Sequence, residues 1–448
     1  MLGKLILEET IPVAQRAVVT REQTATWADL REQAQRICET QGKLSKRRVG
    51  LSFGSSAQSY AALAALDRLS SDVFLLDTNL RIEEAIELSC KLRLGALLIA
   101  DSVSRATEFK VHELSNEESW SGGSTITILT SGSTGQPKAV RHSWESIARP
   151  IRKGVVSAAT WLLTYRPNLY AGVQVMLQCF SDRGTLVVPS PDMNAQSTAE
   201  FMHDTQVQFV SATPSYWRRL LMFSDIELLK KVPLLQITLG GEAIDQPILD
   251  KLRHLFPNTR LVHIYATTEL GRCCSVSDGK AGIPARYLER PLSDGTELRI
   301  QEGELRVRSS NSMRMYDPLS SQQASTADWF ATGDMVEIKD GRIYFVGRKT
   351  EMINVAGRKV FPIEVERVIR VVSGVSDVRV FGKASSIAGE LVACEIVAGP
   401  DQDREALRET VVRNCRAHLD SHQQPRIIKF VDRLDLSSAG KTLRTKTS

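Results

Sequence analysis

Over the first 120 residues the apolar positions follow two alternating rhythms. Trp27, Leu30, Ala34 and Ile37 recur at intervals of three and four, which predicts a helix over residues 26–37 with Thr26 as its N-cap. Residues 49–53 read as a short strand and residues 57–66 as the helix after it. Residues 73–76 and 96–99 are short unbroken apolar runs, suited to strands buried on both faces. Further on, residues 184–189 predict a strand, 197–204 a helix and 209–210 a strand. Strands and helices that alternate through short loops argue for sheets covered by helices, an α/β architecture. No internal repeat at solenoid period breaks the pattern.

Toward the end the rhythm changes. Residues 335–338 and 343–346 are alternating runs joined by Asp340-Gly341, the signature of a hairpin. Then come a helix over 363–372 with Pro362 in its first turn, strands over 378–381 and 391–397, a long helix over 404–419 and a last strand over 427–431. About 100 residues suffice for a separate small core. The predicted organisation is therefore a large N-terminal domain of helix-covered mixed sheets, residues 1–349, and a small mobile α+β C-terminal domain, residues 350–448.

Composition narrows the function classes. The 448 residues are 42% hydrophobic and 24% charged, ordinary globular values, which excludes a disordered or collagen-like chain. Fifty-seven Lys and Arg against 52 Asp and Glu leave a net charge of +5, too weak an excess to argue for nucleic acid as a partner. The seven cysteines are irregularly spaced with no CxxC, which fits a reducing compartment better than a disulfide framework. The N-terminal apolar run is broken by Lys4 and stopped by Glu8 and Glu9, and no stretch reaches the ~20 apolar residues of a membrane span. The expectation is a cytoplasmic protein with no membrane insertion.

The strongest chemical signal is a strand over residues 126–129 that runs into Thr130-Ser131-Gly132-Ser133-Thr134-Gly135-Gln136-Pro137-Lys138. Two glycines let backbone N–H groups turn toward an anion, the hydroxyls add short donors and Lys138 adds charge, which is what cradling a phosphate requires. A Walker A loop does not fit, because Pro137 precedes Lys138 where a glycine is needed. The chain's single GKT, Gly440-Lys441-Thr442, has Asp435 in place of that motif's first glycine. The histidines form no HxxxH or HExxH pattern, so a metal cluster is not indicated.

TSGSTGQPK resembles the phosphate loop of the acyl-adenylate-forming superfamily, which comprises acyl-CoA synthetases, adenylation domains of nonribosomal peptide synthetases and luciferases. Four further stretches match that family in order: LGGEA at 239–243, YATTE at 265–269, WFATGD at 329–334, and Gly347-Arg348 through Gly357 to Glu366; SAGK at 438–441 matches the terminal motif. The resemblance covers essentially the whole chain. It implies an acid–thiol ligase that binds ATP and Mg2+, joins a small-molecule carboxylic acid to AMP with release of pyrophosphate, and then makes a thioester with CoA or with the phosphopantetheine of an acyl carrier protein. An amine or hydroxyl acceptor, and a non-catalytic nucleotide-binding homologue, stay open as alternatives.

Site residues carry over by the same matches. Thr130, Ser131, Gly132, Ser133, Thr134, Gly135 and Lys138 are expected at the phosphates, with Gly241, Glu242, Ala243 and Tyr265 on the adenine side. Asp334 and Arg348 are expected at the ribose. Glu269, beside Thr268, is expected to hold Mg2+, since a hard carboxylate suits a hard cation. Lys441 is expected to reach the carboxylate and the α-phosphate when the small domain closes. Thr350 stands at the hinge, where the family usually has Asp or Lys, and Gly357 is expected to line the thiol channel.

Residues 165–181 contain no acid, the first being Asp182. A substrate ammonium there would lack a partner, which disfavours α-amino acids. The family's HxxG reads Leu169-Tyr170-Ala171-Gly172 here. Tyr170, Gly172, Val173, Met176, Ala266 and Thr267 are expected to form an apolar acyl pocket, with Ala266 in place of a usual glycine. From Glu351 onward 16 Lys and Arg stand against 13 Asp and Glu, a balance that suits either the phosphates of CoA or an acidic carrier.

Overall fold

The computed structural model describes residues 1–434 except 9, 11–13, 101–108, 116, 132–136, 153, 155, 310–314, 317–328, 386–388 and 401. Two large mixed sheets carry the body. In the first, strands Arg260–Thr267, Gln236–Leu239, Phe209–Ala212, Thr160–Leu163, Thr185–Val187 and Arg16–Val19 run parallel in that spatial order. Antiparallel strands Gly271–Val276 and Thr24–Thr26 close its two edges. In the second, Thr125–Ser131, Asp72–Asp77, Arg48–Phe53 and Ala96–Ala100 are parallel, with Pro137–Ser143 added antiparallel to the first of these.

Local chemistry accounts for the elements. Helix Trp27–Thr40 starts at a capping box: Thr26 Oγ1 accepts from the Asp29 N–H, and an Asp29 carboxylate oxygen accepts from the Thr26 N–H. Its apolar stripe is buried completely at Trp27, Leu30, Ala34 and Ile37. The near-continuous apolar runs of the parallel strands follow from helices covering both faces. Strands Phe330–Lys339 and Arg342–Arg348 form the expected hairpin, and Asp340 and Gly341 take φ of 50° and 70°, the mirror-image turn that Asp-Gly favours. This hairpin belongs to a smaller antiparallel sheet with Ile283–Pro284, Glu297–Gln301 and Glu304–Arg308.

That sheet ends at Arg348, and after a single turn at Lys349–Glu351 the next strand, Ile353–Val355, belongs to another sheet. The latter holds Val375–Ser385, Gly389–Ala398 and Ile427–Val431, packed on helices Pro362–Arg370 and Arg404–His418 around Val365, Ile369, Val378, Val380, Ile396 and Val411. The hairpin Ile353–Val355/Arg358–Val360 was not expected from the sequence, because two three-residue strands are too short for alternation to register. The C-terminal unit rests against helix Pro214–Phe223, where Arg218, paired to Asp245 at 2.6 Å, faces Arg370, paired to Asp377 at 3.6 Å. No described helix is long and apolar enough to cross a membrane.

Candidate active site

The body's two large sheets deliver their chemistry-bearing residues from different strands. The expected phosphate loop is the tip of the hairpin Thr125–Ser131/Pro137–Ser143, whose last cross-strand pairs are Thr130 with Lys138 and Ser131 with Pro137. The Thr130 hydroxyl donates to the Lys138 carbonyl at 3.4 Å, which ties the two sides together at the base of the loop. Gly132, Ser133, Thr134 and Gly135, like Lys441, lie outside the described residues.

The segments expected on the adenine side leave the carboxyl ends of adjacent parallel strands, where open α/β sheets bind their ligands. Leu239 pairs with His263, so Gly240-Gly241-Glu242-Ala243 and Tyr265-Ala266-Thr267-Thr268-Glu269 emerge side by side. Gly241 has φ of 84°, a conformation glycine adopts without strain. At Gly240 a Cβ would come within 2.8 Å of Ile264 Cγ1, so the close approach of the two strands requires the glycine. Glu242 accepts from the Ser215 N–H at 3.0 Å and thereby ties this loop to the first turn of the preceding helix Pro214–Phe223.

Asp334 and Arg348 pair across the C-terminal hairpin. Arg348 Nε donates to Asp334 Oδ1 at 3.0 Å, and the Tyr265 hydroxyl donates to Oδ2 at 2.6 Å. Gly333, at φ 73°, lets the strand turn, and Thr332 Oγ1 accepts from the Asp334 N–H at 3.1 Å. Asp334 raises the Arg348 pKa, while burial pushes the Tyr265 phenol well above its ordinary value. The Tyr265 ring also packs against Phe345 at 4.8 Å between centroids. Tyr265 thus joins the adenine-side strand to the acid expected at the ribose, a link that the motifs alone did not reveal.

Glu269 stands in the turn that ends strand Arg260–Thr267, half-buried, and its carboxylate makes no hydrogen bond or ion pair with the described residues. No group of three His, Cys, Asp or Glu able to hold a metal occurs among the described residues. One carboxylate with no cage among the described residues fits a magnesium ion that arrives on a phosphate and keeps most of its waters; it does not fit a resident structural metal.

Of the residues expected at the acyl pocket, Tyr170, Gly172, Val173 and Met176 lie on helix Tyr170–Ser181, whereas Ala266 and Thr267 end strand Arg260–Thr267. Val173 and Met176 are completely buried in the main core, and the Tyr170 ring lies 5.7 Å from that of His142. Gly172 has a structural reason of its own, since a Cβ there would sit 2.2 Å from the Arg166 carbonyl oxygen. Asp182 is buried and accepts from the Gly154 N–H at 2.6 Å, so it works as a structural anchor. In the small unit Thr350 lies in the exposed turn Lys349–Glu351. Gly357, with φ of 83°, turns the hairpin at Ala356-Gly357 and faces open space.

Two features were missed from the sequence. Asp72 is fully buried beneath the phosphate hairpin and pairs with Arg141 at 2.7 Å and Arg48 at 3.3 Å. His142, on the opposite side of the same strand, bonds Nε2 to the Thr268 carbonyl at 2.8 Å. Neither belongs to a spacing motif; the alternation of Arg141 and His142 along a strand was the single available clue.

The chain matches the family model described as AMP-binding enzyme over residues 10–317, and that of the AMP-binding enzyme C-terminal domain over 364–441. It is 28% identical over 345 residues to the long-chain-fatty-acid–CoA ligase FadD13 of Mycobacterium tuberculosis, an alignment that covers 71% of this chain and 66% of that protein. To the 2-succinylbenzoate–CoA ligase of Listeria monocytogenes it is 23% identical over 461 residues, 96% of this chain and 95% of that one. The crystal structure of the anthranilate CoA ligase AuaEII with anthranoyl-AMP superposes with a TM-score of 0.80 at 17% identity, covering 98% and 95% of the two chains.

Proposed function

The chain belongs to the AMP-binding enzyme family, and from that premise we propose that it activates a carboxylic acid with ATP and transfers the acyl group to the thiol of CoA. A carboxylate oxygen attacks the α-phosphorus, the bond to the β-phosphate oxygen breaks and pyrophosphate leaves. The thiol sulfur then attacks the acyl carbon of the adenylate, loses its proton to solvent and expels AMP. The observation that carries this reading is the meeting of Tyr265, Asp334 and Arg348 in one hydrogen-bonded group, with the Glu269 carboxylate near enough to Arg348 to raise its pKa. Asp334, with both oxygens already oriented, is suited to accept from the two ribose hydroxyls. Lys138 stands at the base of the phosphate loop. Mg2+ carried on the phosphates supplies charge neutralisation, and Glu269 is the residue suited to hold it.

Residues 1–349 and 350–448 act in this reading as body and moving lid, with Thr350 at the pivot. Lys441 reaches the reacting carboxylate and α-phosphate when the lid closes, and Gly357 leaves room for a pantetheine arm in the second half-reaction. The absence of an acid in residues 165–181 favours a non-amino acid substrate. That both of these relatives are CoA ligases favours CoA over a carrier protein.

Carboxylate-dependent pyrophosphate–ATP exchange with aryl, short-chain, long-chain and hydroxy acids tests the first half. AMP release with CoA, a phosphopantetheine carrier protein and an amine tests the second. Exchange with at least one acid and AMP release with CoA are expected. ATP binding without exchange for any acid would instead identify a nucleotide-binding homologue. Lys441→Ala should depress exchange far more than ATP affinity, and equal losses in both would refute its role.

A further inference from the structure

Phosphate loop and Glu269 are borne by different sheets, yet the reaction needs them at a fixed separation. The phosphate hairpin continues from Lys138 through Ala139 and Val140 to Arg141 and His142, whose side chains point to opposite faces of the strand. On one face Arg141 is clamped to the buried Asp72. On the other, His142 is fully buried, and its Nε2 lies 2.8 Å from the carbonyl oxygen of Thr268, the residue before Glu269. Strand pairing of Arg260–Thr267 with its neighbour stops at Thr267 opposite Gly271, so the Thr268 carbonyl has no ladder partner and depends on a side chain.

We propose that His142 is a positioning residue: its Nε2–H donates to the Thr268 carbonyl and fixes the direction in which Glu269 leaves the strand relative to the phosphate loop. The proposal rests on the reading of Glu269 given above. A carbonyl can only accept, so Nε2 carries the proton and the ring is the Nε2–H tautomer. Tyr170 packs on the imidazole at 5.7 Å and 47°, which restricts its rotation. Burial lowers the His142 pKa to about 4, so the neutral ring is maintained throughout the neutral range. A second bond, from the Leu270 N–H to Thr267 Oγ1 at 3.1 Å, closes the turn from the other side. The strut therefore joins the strand that follows Lys138 to the turn that carries Glu269.

Three variants separate positioning from mere packing. The amide nitrogen of glutamine reaches about where Nε2 lies, that of asparagine about where Nδ1 lies, and leucine fills the space with no donor. The full chain is titrated calorimetrically with ATP, with and without Mg2+, and the gain in affinity that Mg2+ brings is read. Loss of an outer-shell partner weakens metal binding by about 10-fold or more. His142→Leu and His142→Asn should therefore lose about 10-fold of that gain, whereas His142→Gln should keep it within about twofold; metal-free ATP affinity should hold in all three. An unchanged gain in His142→Leu, a Gln variant no better than the Asn variant, or an equal loss of metal-free affinity each overturns the proposal. If His142→Leu does not fold, the Gln–Asn comparison decides alone. Binding is read without turnover, so a failure of the exchange assays would strike the proposed reaction and not this result.

Discussion

Asp72 and Asp334 are each bound by arginine and a hydroxyl, and they do opposite work. Asp72 has no exposure and sits between Arg141 and Arg48, with the Thr125 hydroxyl at 2.7 Å and the Phe74 ring 4.9 Å from the Arg48 guanidinium. Every direction around it is closed by protein. Asp334 is held by Tyr265 from the inside, but its arginine is different: the Arg348 side chain is 48% exposed. The comparison teaches that a carboxylate sealed together with its arginines anchors strands, whereas Asp334, itself buried, has an arginine that solvent reaches, which suits the proposed binding role. The same ion pair type can serve as a strut or, in the function proposed above, as a binding site, according to what covers it.

The comparison breaks most severely at Asp72. Asp72→Ala leaves two buried guanidinium groups without their shared acid, and breaking such a group costs about 3–5 kcal/mol. Denaturant unfolding should show that loss, with residual exchange activity falling in step with the folded fraction. Asp334→Ala should do the reverse: exchange falls about 100-fold, while unfolding changes by only about 1–2 kcal/mol because water can reach Arg348. A stability loss as large as that of Asp72→Ala would erase the distinction.

His142 sharpens it through pH. Its folded pKa of about 4 lies below the ordinary 6.5, so below pH 6.5 the unfolded chain binds a proton that the native state refuses. The contribution is complete above pH 6.5 and declines as pH falls to about 4, by about 3 kcal/mol in all. His142→Gln should flatten the unfolding free energy over that window; His263, also lowered by burial, leaves a remainder. An unaltered pH slope in His142→Gln would contradict this assignment. The smallest effect is expected at Tyr265→Phe, which removes one of the two bonds that orient Asp334. It should raise the KM for ATP about 10-fold, the value of roughly 1.4 kcal/mol, with stability nearly unchanged. No change in KM would mean that Arg348 alone orients the acid.

Long apolar stripes, the Asp-Gly hairpin and the sequence of strands in the C-terminal unit were legible because they obey periods of 3.6 and 2 over many residues. Helix Trp27–Thr40 and strand Ile427–Val431 fall where the pattern predicts them, and the strand read at residues 378–381 extends to Val375–Ser385. Short elements such as Ile353–Val355 and Arg358–Val360 escaped notice, since three residues carry too little periodicity to stand out from a loop. At the site, Gly241, Asp334 and Arg348 could be singled out through motif order. His142 was set aside because a lone histidine has no partner in the linear chain, and Asp72 because its arginines are 24 and 69 positions away in sequence.

What the amino-acid order determined alone was the alternation of elements, the turn chemistry and the types of group available to meet an acid and a nucleotide. These follow from local backbone preferences and from side-chain identity, which need no knowledge of distant neighbours. Which carboxylate is sealed, which keeps a solvent-exposed arginine, and which imidazole joins the phosphate hairpin to the turn of Glu269 were decided only on folding. Burial and hydrogen-bond geometry depend on strands brought together from remote parts of the chain, and no spacing along that chain encodes them.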